Sequence, residues 1–270
     1  FQIKLLAWVS LRASNYKVGE YEFDNKASLS ELLTRLATGK ITQRKIRIAE
    51  GVTWREIKQA FAKADLTHDA QDLSMSELVK AVGITEPNNP QSIEGLIFPD
   101  TYLYRKGEKE TDILKRAHEL LNKKIAPLWE KRATDLPYAN EYQALIMASI
   151  IEKETGLDAD RPMVAAVFVN RLKKGMMLQT DPTIIYGVGE AFKVDLTTQM
   201  MSTDTPNNTY TRHGLPPTPI ATASLASISA AFNPADSDVI FFVGRGDGSS
   251  EFTNNYAAHT AAVNKYILKK

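Results

Sequence analysis

Apolar residues recur at helical spacing behind a polar starter, and the arrangement repeats along the first third of the chain. Leu29, Leu32, Leu33 and Leu36 share one helical face, with Ser28 and Glu31 spaced as a capping box in front and Gly39 as the stop. Thr53 and Glu56 open a second such helix, whose stripe is Trp54, Ile57, Ala60 and Phe61. A third box, Ser74 with Glu77, opens a short helix ending at Gly83. Alternating residues predict short strands at 21–23 and 45–49, ahead of the first two helices. SLSEL from Ser28 and TWREI from Thr53 are equivalent in design, a weak internal duplication.

Beyond this the pattern changes. Pro and Asn at 86–90 signal a loop, and EGLIFPDTYLY from Glu94 reads as a strand pair interrupted at Pro99. Residues 112–132 are amphipathic and highly charged, a helix that Pro127 is expected to kink or divide. Residues 141–155 are apolar nearly all round, as a central buried helix requires. A helix follows at 161–174, with Pro162 in its first turn and Gly175 as its stop. Asp181 and Pro182 form a cap and first-turn pair for a short helix through Tyr186. Residues 203–223 form a long Pro-, Asn- and Thr-rich loop. Helix 225–232, a hairpin of strands 239–243 and 251–253, and a helix at 255–268 complete the chain. The fold class is α+β. We divide the chain into an N-terminal segment (1–17), a small module (18–110) and a mostly helical domain with a β-hairpin (111–270).

Composition narrows the chemistry. Among 270 residues there is no cysteine, which removes disulfides, thiolate metal sites and cysteine nucleophiles. The net charge of +1 gives no field for nucleic acid. The histidines (His68, His118, His213, His259) lack ligand spacing, so no metal is expected. The glycines at 244, 246 and 248 open no helix, so no phosphate-bound cofactor is expected either. Arg245-Gly246-Asp247 lies between strands and reads as ordinary turn composition. No run approaches the ~18 apolar residues of a membrane span. The chain begins at Phe1, and an upstream membrane anchor is expected to precede it.

Glu152 is the candidate catalytic residue. It shares a helical face with Leu145, Ala148 and Ser149, where a carboxylate is costly unless it lines a cleft or is paired. Partial burial and the negative end of its own helix both predict a raised pKa, as a general acid needs. The alternative is an ion pair with Arg161 or Arg171. Glu154 points nearly opposite and reads as a salt-bridge or supporting residue. Gln179 and Thr180 in LQTDPT could hydrogen-bond a sugar, while Asp181 fits a helix cap. In NTYTRHGLPPTPI, Tyr210 offers a stacking face and the prolines stiffen a groove wall.

Taken together, ASIIEKETG (148–156), VAAVFVNRLKKGMMLQTDPTIIYG (164–187) and NTYTRHGLPPTPI (208–220) closely resemble the endolytic murein transglycosylase, or YceG-like, family. EGLIFPDTYLY and NPADSDVIFFV resemble two further family segments, so the likeness covers nearly the whole chain. It departs at Thr218, where the family commonly has Gly, and in the hairpin GRGDGSSEF, where it often has His. The resemblance implies a LysM-like module at 18–110 and a lysozyme-like catalytic domain at 111–270. It further implies periplasmic action from an inner-membrane anchor, with peptidoglycan glycan strands as substrate and peptidoglycan synthases as candidate partners. It places the catalytic role on Glu152, with Gln179, Asn208 and Tyr210 as substrate contacts and Glu154, Arg171 and Asp181 in support. The implied reaction cleaves the β-1,4 bond between N-acetylmuramic acid and N-acetylglucosamine, leaving a 1,6-anhydro ring and ending strand elongation. A muramidase-type hydrolase, a non-catalytic glycan-binding scaffold and a pyridoxal-phosphate lyase are the rivals. The last would need a phosphate cradle that the sequence does not offer.

Overall fold

The computed structural model describes residues 17, 19–85, 92–192 and 195–269. The expected N-terminal segment and the loop at 86–90 therefore lie outside the described residues, apart from Lys17. The chain runs α1 (Leu29–Thr38), β1 (Arg44–Arg47), α2 (Trp54–Phe61), α3 (Met75–Val82), β2 (Thr101–Tyr104), α4 (Glu110–Glu130) and α5 (Glu141–Glu154). It continues through α6 (Arg161–Lys173), α7 (Asp181–Val188), α8 (Thr198–Ser202), α9 (Leu225–Phe232), β3 (Phe241–Gly244), β4 (Ser250–Thr253) and α10 (Tyr256–Val263). The result is helix-dominated α+β, its two small sheets each an antiparallel pair, β1 with β2 and β3 with β4.

Local sequence accounts for most helix starts. Thr53–Glu56 and Ser74–Glu77 form reciprocal capping boxes, and Ser28 accepts from the Glu31 backbone. Residues 21–23 form no strand: Thr42 N–H donates to Glu20 O, but no ladder follows. Residues 94–98 are turn rather than strand, so only the second half of EGLIFPDTYLY pairs, with β1. The order β1-α2-α3-β2 is thus a closed strand–helix–helix–strand unit, offset from the repeat expected in the sequence. Pro127 does not divide α4, which runs unbroken to Glu130. Only its last turn lies beyond the proline, so packing of the turns before it holds the helix.

The core is a continuous cluster from Ile46 and Phe61 through Ile113 to Phe232, with α5 buried at its centre. α9 packs along α5 and reaches α6 and α4, where Phe232 meets Trp129 edge-on at 5.3 Å between ring centres. The loop from 203 to 223 is stitched to the N-terminal half. Gly51 N–H donates to Thr222 O (2.9 Å), Thr222 N–H to Val52 O (2.8 Å), and the Thr222 hydroxyl to Ala49 O (2.9 Å). Gly95, at φ +70°, sits so close to Pro219 that a Cβ would fall 2.2 Å from the proline ring; only glycine fits there. Lys153, near the end of α5, donates to Gly51 O at 3.0 Å, which brings the end of that helix to the start of α2, where the carboxylates of interest lie.

Candidate active site

Two glutamates at the end of α5 fall into opposite environments. Glu152 has a side chain only 7% exposed, paired with Arg161 at 2.8 Å. The same oxygen accepts from the Ser224 N–H (3.0 Å), the Ser224 hydroxyl (2.5 Å) and the Ser227 hydroxyl (2.7 Å). Ser224 is the N-cap of α9, so this carboxylate sits at the positive end of a second helix dipole. Burial pushes its pKa up, but the serine hydrogen bonds and the Arg161 charge outweigh burial and hold it below the ordinary carboxylate value. The expectation of a raised pKa at Glu152 is therefore corrected. The ion pair with Arg161, the alternative left open by the sequence, is what forms.

Glu154, the last residue of α5, is the group whose pKa is raised. Burial lifts it to about 7; a hydrogen bond from Thr180 opposes this, the nearby Asp181 charge reinforces it, and Arg171 opposes it. Among the described residues it makes no ion pair, so Arg171 acts on it only as a more distant charge. Of the two readings left open for Glu154, a salt bridge or a supporting residue, no salt bridge forms among the described residues. What the sequence assigned to one glutamate, a costly, proton-holding carboxyl, the structure puts on the other.

The floor beneath Glu154 is built from two interlocked loops. Gln179 N–H donates to Thr209 O at 3.1 Å, Thr180 N–H to the Thr209 hydroxyl at 3.1 Å, and the Thr183 and Thr209 hydroxyls meet at 2.9 Å. Gln179 is exposed and held at φ +50°, a left-handed conformation uncommon for a non-glycine residue and concentrated at functional sites. Tyr210 donates from its hydroxyl to Asp181 at 2.6 Å. Arg171 is buried, donating to Ile240 O and Leu178 O (2.7 Å each) with its guanidinium 5.3 Å from the Phe241 ring centre.

Glu154, Thr180, Asp181, Arg171 and Tyr210 thus come together, with Gln179 at the rim. Asn208 turns its side chain to the neighbouring backbone instead. It is 1% exposed, and its amide donates to the carbonyls of Met200, Met201 and Thr203 while its oxygen accepts from Tyr210 N–H. Its hydrogen-bonding capacity is spent closing α8 and aiming Tyr210. Asp181 is not a cap either: Thr180 holds the cap position of α7, and Asp181 lies in the first turn.

Nothing in the sequence marks Glu94. It is 4% exposed and pushed up to about 7 by burial, against hydrogen bonds from Trp54 N–H, Tyr186 and Gly95 N–H. Both its oxygens accept from Trp54 N–H, at 2.9 and 3.1 Å. It anchors the start of α2 and has little freedom to trade a proton with a ligand. No spacing signal could have found it, because the partners that bury it, Trp54 and Tyr186, lie 40 residues or more away. Among the described residues, no cluster of side chains could hold a metal.

Comparison with known proteins places these features in context. The model of the YceG-like family matches residues 2–265. A Bacillus subtilis (strain 168) protein named endolytic murein transglycosylase is 31% identical over 96% of this chain and 75% of its own length. A Streptococcus pneumoniae (serotype 2, strain D39) protein of the same name is 26% identical over 95% of this chain, which spans about half (52%) of that relative. In structure, the chain resembles a YceG-like protein from Listeria monocytogenes with a TM-score of 0.68 at 28% identity, covering 96% of this chain and 88% of that one.

Proposed function

The chain belongs to the YceG-like family, and from that premise we propose that it is a peptidoglycan lytic transglycosylase in which Glu154 is both acid and base. The shared name of the relatives supports the substrate and the reaction class. The observation that carries the residue assignment is the place of Glu154: a carboxyl with no ion pair among the described residues, hydrogen-bonded by Thr180 where the Gln179–Asp181 and Thr209–Tyr210 loops interlock, with burial raising its pKa to about 7. A general acid works best with a pKa near the operating pH.

Glu154, protonated, gives its proton to the glycosidic oxygen between N-acetylmuramic acid and N-acetylglucosamine. The resulting carboxylate takes the proton of the muramoyl C6 hydroxyl as that oxygen closes on C1. The products are a free N-acetylglucosamine hydroxyl and a 1,6-anhydro ring, and Glu154 ends protonated as it began. Because the nucleophile belongs to the sugar, one carboxyl suffices where ordinary glycosidases use two. Thr180 orients the carboxyl, and Tyr210 with Asp181 and the exposed Gln179 contact the sugars beside it. Arg171 stiffens the floor through its two carbonyl contacts.

The β1-α2-α3-β2 unit supports reading residues 18–110 as the glycan-gripping, LysM-like module and 111–270 as the lysozyme-like catalytic unit. Peptidoglycan as substrate puts the action outside the cytoplasmic membrane. No helix among the described residues is long and apolar enough to cross one. We further read the endolytic cut as ending elongation of a nascent strand, with peptidoglycan synthases as partners.

Mass spectrometry of the products tests the reaction. Transglycosylation yields anhydro ends, a muramidase yields reducing ends, and a binding scaffold yields no products.

A further inference from the structure

The β1–β2 sheet turns one face to the core and the other to solvent. Ile46, Ile48, Tyr102 and Tyr104 are buried, so alternation puts Gln43, Lys45, Arg47, Thr101, Leu103 and Arg105 on the outer face. All six are exposed, and three are cations with no carboxylate among them. Lys45 lies opposite Leu103 and Arg47 opposite Thr101, so neither cation serves cross-strand pairing. Lys45, Arg47 and Arg105 form no ion pair among the described residues, whereas Arg44, on the inner side, is held by Glu20 and Asp65. Beside β2 the face opens into a cleft of about 710 Å³, where Lys106 adds a further charge and Arg116 pairs with Glu108 at 2.6 Å. Asp112 is the one other carboxyl lining it.

The sheet also leads toward the acid. Beyond Arg47, Ile48 N–H continues the ladder to Asp100 O at 2.9 Å, and Gly51 O then accepts from Lys153, the residue before Glu154. Arg47 therefore lies no more than about 14 Å along the chain from Gly51. Lys45 follows about 7 Å farther out. A stripe of unpaired cations is of little use to a neutral sugar, but it complements spaced carboxylates. Peptidoglycan supplies these: its glycan backbone is uncharged, while the short peptides on its muramoyl units carry free carboxylates. We propose that the outer face of β1–β2 is a docking surface for the peptide stems of the strand that Glu154 cuts, with Lys45 and Arg47 holding stem carboxylates. The assignment rests on the reading of peptidoglycan as substrate, and extends it from the sugars to the peptides.

The test uses the full chain carrying Glu154→Gln, titrated by calorimetry with un-crosslinked, peptide-bearing glycan strands and with the same strands after their carboxyls are capped as methylamides. Adding Lys45→Glu and Arg47→Glu together should weaken binding to uncapped strands about tenfold, and added salt should narrow the difference. Capped strands should bind parent and variant alike. Lys123→Glu with Lys124→Glu, the same charge change in the later turns of α4, should leave affinity unchanged. All four lysine and arginine positions are exposed, and thermal melts check folding. The milder pair Lys45→Gln and Arg47→Gln should show a smaller loss in the same direction, and serves if charge reversal unfolds the chain. Unchanged affinity of the folded variant for uncapped strands overturns the stem surface, as does an equal loss on capped strands. Loss of binding to phosphatidylglycerol vesicles with strand affinity intact also overturns it, and makes the face a membrane contact. If wild type still releases anhydro ends in those cases, only the stem surface fails. If neither kind of strand binds and wild type releases no products, the peptidoglycan reading fails and this surface with it.

Discussion

The carboxylate of Glu152 accepts a hydrogen bond from the backbone N–H of Ser224 at 3.0 Å, joining the end of α5 to the start of a helix 72 residues farther along the chain. That contact, with Arg161 and Ser227 on the same oxygen, fixes Glu152 in its ionised form and welds α5 to α9.

Glu152→Gln should therefore destabilise the protein. Removing one partner of a buried pair leaves an uncompensated charge on the other, worth about 3–5 kcal/mol. Arg161→Met should cost a similar amount and the double variant less than the sum, as measured by urea unfolding. The Glu152 pKa is lowered on folding, so its contribution is present above the unfolded value of 4.5 and lost as pH falls through the folded value. Wild type and Glu152→Gln should converge in stability at low pH.

Glu154 should behave in the opposite sense. Its folded pKa of about 7 lies above the unfolded 4.5, so between those values the folded state holds the extra proton. Stability from this group then falls as pH rises through that window, and the loss is complete above about 7. Glu154→Gln should be more stable than wild type at neutral pH, and the gap should close toward pH 4.5. Melting temperatures across that range check this.

The rate should titrate with the same group. The proposed step needs a protonated donor, so kcat/KM on glycan strands should fall as pH rises above about 7. Thr180→Val removes a hydrogen bond that favours the ionised form of Glu154, so the falling limb should move to higher pH. A pH profile of released anhydro ends reads both effects.

Much of the fold was legible because local signals decided it. The Thr53 and Ser74 boxes, the glycine stops at 39 and 83 and the all-round apolar run of α5 need no partner to be read. The strand at 21–23 failed because a strand exists only with a neighbour. The site was legible as a neighbourhood, since LQTDPT and NTYTR do meet at the end of α5. Ranking its two glutamates was not. About 200° separates them on the helix, and α5 is apolar on every side, so no face marks one as lining a cleft. The negative end of α5's own dipole at Glu152 is visible in the sequence, but the positive end of α9 is invisible until the chain is folded. Asn208 shows the same limit: its motif is plain in the sequence, but the three carbonyls that its amide meets are not.

The most direct test of the account is anhydro-end release from un-crosslinked glycan strands by folded Glu154→Gln protein, measured by mass spectrometry beside wild type. The account predicts that Glu154→Gln still binds the strands and releases no anhydro ends. Wild-type release by the Glu154→Gln protein would contradict it.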